Sequence, residues 1–595
     1  MSARCAEPHD LTDRALRDRA VAAARGDAPF DLLIRGGQVF DAVTGRLREA
    51  DVGITGKLIT SVHASATRTD GVKVLDAEGL ILTPGLIDTH MHIESSMITP
   101  AAYAEAVLPR GVTTVVWDPH EFANVHGLAG VSWALEACAN LPLRVIVLAP
   151  SCVPAAPGLE RSGAAFGKAE LSDMLARPGI GGVAEVMNMR GVIERAQIIS
   201  DVVQAGLESG KLVCGHARGL SGSDLNAFMA AGVTSDHELT SGGDLMAKLS
   251  AGLTIELRGS HDHLLPEFAA ALNALGHLPS TVTLCTDDVF PDDLAQAGGL
   301  DDVLRRLVRY GMPVAWALQA ATLNASHRLA RPDLGLVAAG RRADIALFED
   351  LSAFSAAAVI ANGALVAREG KLIEKPAALS TAPLKNSIHC PTYSADDFKV
   401  RSEGRRIKVA TIHRPRFTEW GEAETYVKGG FVVPPRGATL VTVIHRHGRG
   451  PAIPRTGYLT GWGNWRGAFC TTVSHDSHNV TVFGGNEADM AVAANWVIEA
   501  GGGMAVARDG QVATSLPLPL SGLVSDAPLA EIAGDFTALR SAMDDIVEWE
   551  PPYLVFKACF GATLACNAGP HQTDLGIADI TRPTVMETPI LEILE

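Results

Sequence analysis

The sequence predicts an α/β protein built on a (β/α)8 TIM-type barrel. A small β-sheet domain is split in sequence around the barrel, and an α+β domain follows at the C-terminus. Three observations carry that expectation. Eight short apolar runs alternate with Ala- and Leu-rich stretches through the middle of the chain. Period-two apolar runs with glycine turns lie on both sides of that region. Beyond residue 381 the chain continues with strand-like runs of its own. At 595 residues it is long enough for several domains.

Residues 1–28 read as a polar N-terminal helical segment. Residues 31–41, 51–62 and 72–82 alternate apolar and polar side chains, with turns at Gly36-Gly37 and Thr55-Gly56, and read as antiparallel strands. The barrel strand candidates are 86–92, 112–118, 144–151, 181–186, 211–217, 232–238, 253–259 and 281–288. Helical stretches fall between them at 99–109, 127–139, 192–208, 222–231, 240–250 and 262–275. Eight β–α alternations over about 250 residues are what such a barrel requires. Residues 334–350 and 357–370 return to strands and turns, expected to join the N-terminal strands in one sheet. The expected domains are 1–28; 29–82 with 334–380; the barrel, 83–333; and 381–595.

Lys and Arg total 50 against 67 Asp and Glu, a net charge of −17, and no basic run stands out. That balance argues against duplex nucleic acid and anionic membranes as partners. No apolar run approaches the ~18 residues of a membrane span. Glu7, Asp10, Asp13 and Asp18 fit neither a secretory signal nor a transit peptide. The nine cysteines include no CxxC pair, which excludes a zinc ribbon and a thioredoxin-like motif. It also excludes the zinc deaminases of the cytidine type, although His92-Ile-Glu94 matches the first half of their signature. The expectation is a cytoplasmic protein.

The chemistry-bearing residues end the barrel strands, on the face where such barrels place active sites. Strand one ends in His90 and His92, which as i and i+2 point the same way and can chelate a borderline metal ion. Strand four ends in Glu185, strand five in His216, strand six in His237 and strand eight in Asp287. Each alone reads as a satisfied polar group in the core. Six of them, at the ends of five strands, point to a metal centre, because an ionisable group in an apolar strand is costly unless paired or metal-bound. After strand two, Asp118, His120 and Glu121 are placed on a loop at the barrel mouth, as substrate contacts or as support for the metal ligands. Ser95 either bonds a substrate ring or caps the next helix, and Asp288 reads as structural.

These motifs resemble the amidohydrolase superfamily. Residues 84–96 (PGLIDTHMHIESS) are similar to its first-strand motif, and residues 334–350 to its returning sheet strand. Residues 92–100 (HIESSMITP), 185–189 (EVMNM) and 472–490 (TVSHDSHNVTVFGGNEADM) resemble the bacterial adenine deaminases, over about residues 30–595. The resemblance implies a distorted barrel with two divalent metal ions, manganese before iron or zinc. His90, His92 and Asp287 would hold one ion, His216 and His237 the other, and Glu185 would bridge them. No Lys stands at the strand-four position where several relatives carry a carboxylated one, and the stretch after strand five, His216 to Gly219, lacks the Glu of mononuclear deaminases.

The implied reaction is hydrolytic deamination of adenine to hypoxanthine, a purine-salvage step, by a metal-activated hydroxide attacking C6. Asp287 would be the proton shuttle and Glu121 a second acid–base group, with Asp118, His120, Ser95 and Glu121 on the purine. The alternative is another amidohydrolase acting on a different purine, such as an N6-substituted adenine, or on a cyclic amide. A homodimer is expected from the resemblance alone. His475 and His478 read either as a lid or metal site over the barrel mouth, or as a buried polar network. Trp462 and Trp465 read as packing residues, and His445 and His447 as a solvated strand end.

Overall fold

The computed structural model describes residues 10–415, 417–549, 553–582 and 584–595. Residues 1–9 of the expected N-terminal helical segment lie outside these; within it, a helix spans Arg14–Arg25, capped by Asp13 and closed by Gly26 in the left-handed region.

All eight barrel strands form. They are β1 (Leu86–Met91), β2 (Val112–Trp117), β3 (Arg144–Ala149), β4 (Ile180–Val186), β5 (Leu212–Gly215), β6 (Ser235–Asp236), β7 (Thr254–Arg258) and β8 (Val282–Cys285). Their residues are buried almost without interruption, as expected of parallel strands covered by helices. The barrel is two arcs, β1 to β5 in sequence order and β6 to β8, every pairing parallel. Register shifts between Asp88 and Met91, Val147 and Ala149, and Val183 and Val186 bend the strands near their C-terminal ends.

Two seams join the arcs. At one, Asp287 N–H donates to the His90 carbonyl at 3.0 Å, and Asp88 accepts from Thr286 N–H and Oγ1 at 3.0 and 2.6 Å. At the other, Thr234 N–H donates to the Val213 carbonyl at 3.2 Å, and Asp236 accepts from Ala217 N–H at 2.7 Å. Gly215 sits at this seam because a β-carbon there would lie 2.2 Å from the Ser235 carbonyl oxygen.

The strands on either side of the barrel form two packed sheets, not the one expected. The first is four-stranded, in the order 58–63, 51–55, 30–35, 71–76. The second is seven-stranded and joins 38–41, 46–49 and 81–84 to 345–348, 356–361, 364–368 and 371–372. Two pairings are parallel, Phe30–Arg35 with Gly71–Asp76 and Gln38–Asp41 with Ile81–Pro84, where antiparallel order was expected. Ile34, Val52, Ile54 and Ile59 of the first sheet share a core with Val39, Leu82, Ile345 and Ile360 of the second. Burying that shared face is what one sheet alone would fail to do.

The C-terminal region builds a ten-stranded sheet, with helices Glu487–Glu499, Leu529–Ile546 and Tyr553–Gly561. It lies across the C-terminal face of the barrel. Arg161 of the barrel clamps Asp574 at 2.7 Å, Arg540 pairs with Asp292 at 2.7 Å, and Lys557 donates to the Ser260 carbonyl at 2.9 Å. The expectation of a solvated end at 445–447 is corrected. Arg446 is fully buried, its guanidinium donating to Ser387 Oγ at 2.8 Å and to the Ser521 carbonyl at 2.8 Å. Trp462 and Trp465 are buried packing residues, joined by a 2.9 Å bond from Trp465 Nε1 to the Trp462 carbonyl. Among the described residues, no helix is long and apolar enough to cross a membrane.

Candidate active site and metal centre

Glu185, at the end of β4, is the hub of the site. Its Oε1 lies 3.8 Å from His90 Nε2 and 3.4 Å from His92 Nε2. Its Oε2 lies 2.7 Å from His216 Nδ1 and 3.2 Å from His237 Nε2. Asp287 closes the group, its Oδ1 standing 3.5 Å from His90 Nε2 and 3.3 Å from His92 Nε2. All six side chains are buried, so the six residues that end the strands do converge. Asp287 lies beyond β8 in the left-handed region, φ 58°, and that turn, not strand alternation, aims its side chain.

This arrangement fits a cation. Four imidazoles and two carboxylates are withdrawn from water together, and His90 Nε2, His216 Nε2 and His237 Nδ1 have no hydrogen-bond partner among the described residues. Orphaned buried nitrogens beside carboxylates are costly unless an ion takes up their lone pairs. His90, Glu185 and His237 form one group able to hold a metal ion, and His90, His92 and Asp287 another. His92 Nδ1 donates to the Asp118 carbonyl at 3.0 Å, which leaves Nε2 free to face both carboxylates. Burial opposes the charge of Glu185, but His237, His216 and His92 outweigh it and hold its carboxyl well below the usual range.

The structure adds residues that sequence reasoning left unassigned. Arg258, ending β7, pairs with Asp287 Oδ2 at 2.8 Å and also with Glu238. Burial opposes ionisation of Asp287 too, but Arg258 and the two histidines hold its carboxyl well below its usual value. Arg218 holds the other side of Glu238 at 2.7 Å. The signal for Arg258 was present, since it ends a strand on the same face, but a lone cation there reads as solvated. Ser260 Oγ also donates to Asp287, at 3.2 Å.

The residues after β2 depart from expectation. They begin a helix, His120–His126, instead of a loop. The Asp118 carboxylate is taken up by His120, accepting its N–H at 3.1 Å and lying 3.0 Å from its Nδ1. His120 Nδ1 is also 3.8 Å from Glu185, so His92, Asp118, His120 and Glu185 form another group with metal-binding geometry. Glu121 is fully buried and Ser95 nearly so; Ser95 Oγ lies 2.5 Å from Asp288 Oδ1 and 3.2 Å from Glu121 Oε1. Burial raises the Glu121 carboxyl above its usual range.

A cavity of about 480 Å³ opens over this centre. His92, Glu185, His216, His237 and Asp287 line its floor, and His120 and Asp288 are on its wall. The C-terminal region supplies part of the rest, through Phe417, Thr418, His475, Asp476 and Lys557. The volume suits a small molecule.

A barrel of this topology, with histidines and carboxylates gathered at its strand ends, defines the chain as an amidohydrolase. The amidohydrolase family matches residues 81–366, and the adenine deaminase C-terminal domain matches residues 415–584. "Adenine deaminase 2" of Rhizobium johnstonii is 67% identical over 587 residues, 99% of each chain. "Adenine deaminase 2" of Rhizobium etli is 68% identical over 587 residues, again 99% of each. "Adenine deaminase" of Klebsiella pneumoniae is 52% identical over 568 residues, 95% of this chain and 94% of that one. The chain belongs to the adenine deaminase family.

Proposed function

We propose that the chain is a metal-dependent hydrolase that converts adenine and water to hypoxanthine and ammonia at the cavity above Glu185. The observation that carries this reading is the convergence of four buried histidines on the Glu185 carboxylate, with Asp287 beside them, at the floor of a cavity sized for a purine. A divalent cation held there lowers the pKa of water, making hydroxide available near neutral pH.

The chain's own residues supply the rest. Glu185 divides the histidines into two sets, His90 with His92 and His216 with His237, and would bridge two ions. Asp287 would take the proton of the attacking water and return it to the ring or to the departing amine. Arg258 fixes the orientation of Asp287 through Oδ2 and leaves Oδ1 facing the histidines. His120, on the cavity wall, would contact the purine, and Asp118 would act through His120. Glu121 and Ser95 do not line the cavity, so the acid–base role of Glu121 and the ring contact of Ser95 would both be indirect, through Ser95 Oγ to Asp288 on the cavity wall. Two manganese ions per chain and a homodimer rest on the resemblance, and a cytoplasmic setting, read from the cysteine spacing and the acidic N-terminal residues, completes the proposal.

Ammonia release from adenine by manganese-loaded protein tests this reading. Asp287→Asn should lower turnover by ~10²–10⁴-fold, the usual contribution of a positioned acid–base group. Glu185→Gln should lose metal content and activity together, and two retained metal equivalents would refute the bridging role. No turnover by folded, fully metallated wild-type protein would move the function to another purine or to a cyclic amide.

A further inference from the structure

The tip of one C-terminal loop enters the cavity. This loop joins strands Ala468–Thr471 and Val480–Gly484 and carries His475 and Asp476 to the cavity wall. It is braced on several sides. His478 N–H donates to the Ser474 carbonyl at 2.8 Å, and Ser474 Oγ lies 2.8 Å from both Thr481 Oγ1 and Thr563 Oγ1. Thr563 Oγ1 donates to the His475 carbonyl at 2.9 Å, and His447 Nε2 donates to the Ser477 carbonyl at 2.7 Å. Asn479 Nδ2 reaches the Arg161 carbonyl of the barrel at 2.9 Å. The loop tip is therefore held in place by both the C-terminal sheet and the barrel.

Asp476 is 1% exposed, and its Oδ1 stands 3.7 Å from His120 Nε2 and 3.5 Å from His475 Nδ1. The opposite nitrogen of His120 faces Asp118 at 3.0 Å. The imidazole thus sits between a carboxylate of the barrel and a carboxylate of the C-terminal region, its edge against His92 with ring centroids 4.7 Å apart. A carboxylate withdrawn from water this far needs a compensating partner, and ring nitrogens of His475 and His120 face Asp476 Oδ1 at 3.5 and 3.7 Å. Nδ1 is held by Asp118 at hydrogen-bond distance, and Nε2 faces Asp476 across 3.7 Å without a hydrogen-bond partner of its own among the described residues, so the two carboxylates flank the ring on opposite sides.

We propose that Asp476 is a positioning residue for His120, so that the reaction site is built jointly by the barrel and the C-terminal region. The proposal rests on the functional reading above. Asp476 would act through His120, and its recorded ion-pair contacts, His120 and His475, include none of the six proposed ligands of Glu185's centre.

The test is a double-mutant cycle on the full-length, manganese-loaded enzyme with Asp476→Asn, His120→Gln and the pair together. The expected result is a ~10–100-fold fall in kcat for Asp476→Asn, with KM within about threefold and metal content unchanged. In the double variant the loss should be no greater than in His120→Gln alone, since both changes remove one interaction. A purely structural role would not produce that non-additivity. Wild-type kcat for Asp476→Asn, or losses that multiply in the double variant, would overturn the proposal. Should Asp476→Asn fail to fold, Asp476→Glu, which keeps the charge but displaces it, enters the same cycle with the same two deciding outcomes. Failure of the wild type on adenine would sink the functional reading alone; the cycle is then run on whichever purine or cyclic amide the wild type turns over.

Discussion

Arg258 serves two buried carboxylates at once, Asp287 and Glu238. Removing one partner of a buried ion pair leaves uncompensated charge and costs about 3–5 kcal/mol. Arg258→Gln should therefore lower the melting temperature by several degrees and reduce turnover together. A melting curve matching wild type would show that Asp287 and Glu238 do not depend on it. Six residues of the centre were legible in the sequence because each sits at or just beyond the end of an apolar strand, where an ionisable group stands out. Arg258 also ends such a strand, yet one cation carries no pattern. The motif at 472–490 stood out in the sequence, but the pairing of Asp476 with His120 was not legible, because the two lie more than 350 residues apart.

At the scale of elements, the seam between β5 and β6 leaves no room for a side chain at Gly215. Gly215→Ala would drive a β-carbon against the Ser235 carbonyl and should cost about 1–3 kcal/mol as overpacking. Because the seam carries His216 and His237, metal content should fall with stability; a variant with wild-type melting and metal content would refute this. The small β unit has a different tie. Asp10 pairs with Arg342 and Lys57, each at 2.6 Å, and so joins both sequence halves of that unit. Burial opposes its charge, but the two cations lower its pKa to about 2. A depressed carboxylate stabilises the fold fully above its unfolded value near 3.8 and loses that contribution as pH falls toward 2. Discounted for exposure, the tie contributes about 1 kcal/mol. The melting difference between wild type and Asp10→Asn should be full at pH 6 and shrink below about pH 4. A difference independent of pH would show that the charge of Asp10 contributes nothing.

For the whole molecule, the centre is where barrel and C-terminal region depend on one another. Six buried ligand side chains without a cation are an unfavourable arrangement, so metal should stabilise the native chain preferentially. At a free ion concentration of about 100 times Kd the gain is about 2.7 kcal/mol. Calorimetry after chelation should show a lower melting temperature, restored by manganese. An unchanged transition in protein verified to be metal-free would mean that the side chains balance one another unaided.

The sequence by itself determined the eight strands, the helices between them and the residues at the strand ends. Those follow from local periodicity, and a strand end is a position that composition alone can mark. It did not reveal that the flanking strands divide into two packed sheets, since alternation marks a buried face without naming what covers it. Nor did it show the helix that begins at His120, the left-handed turn that aims Asp287, or the loop that sets Asp476 against His120. Those depend on contacts between segments far apart in the chain. Only the folded molecule, by closing the barrel and laying the C-terminal region over its mouth, brings them together.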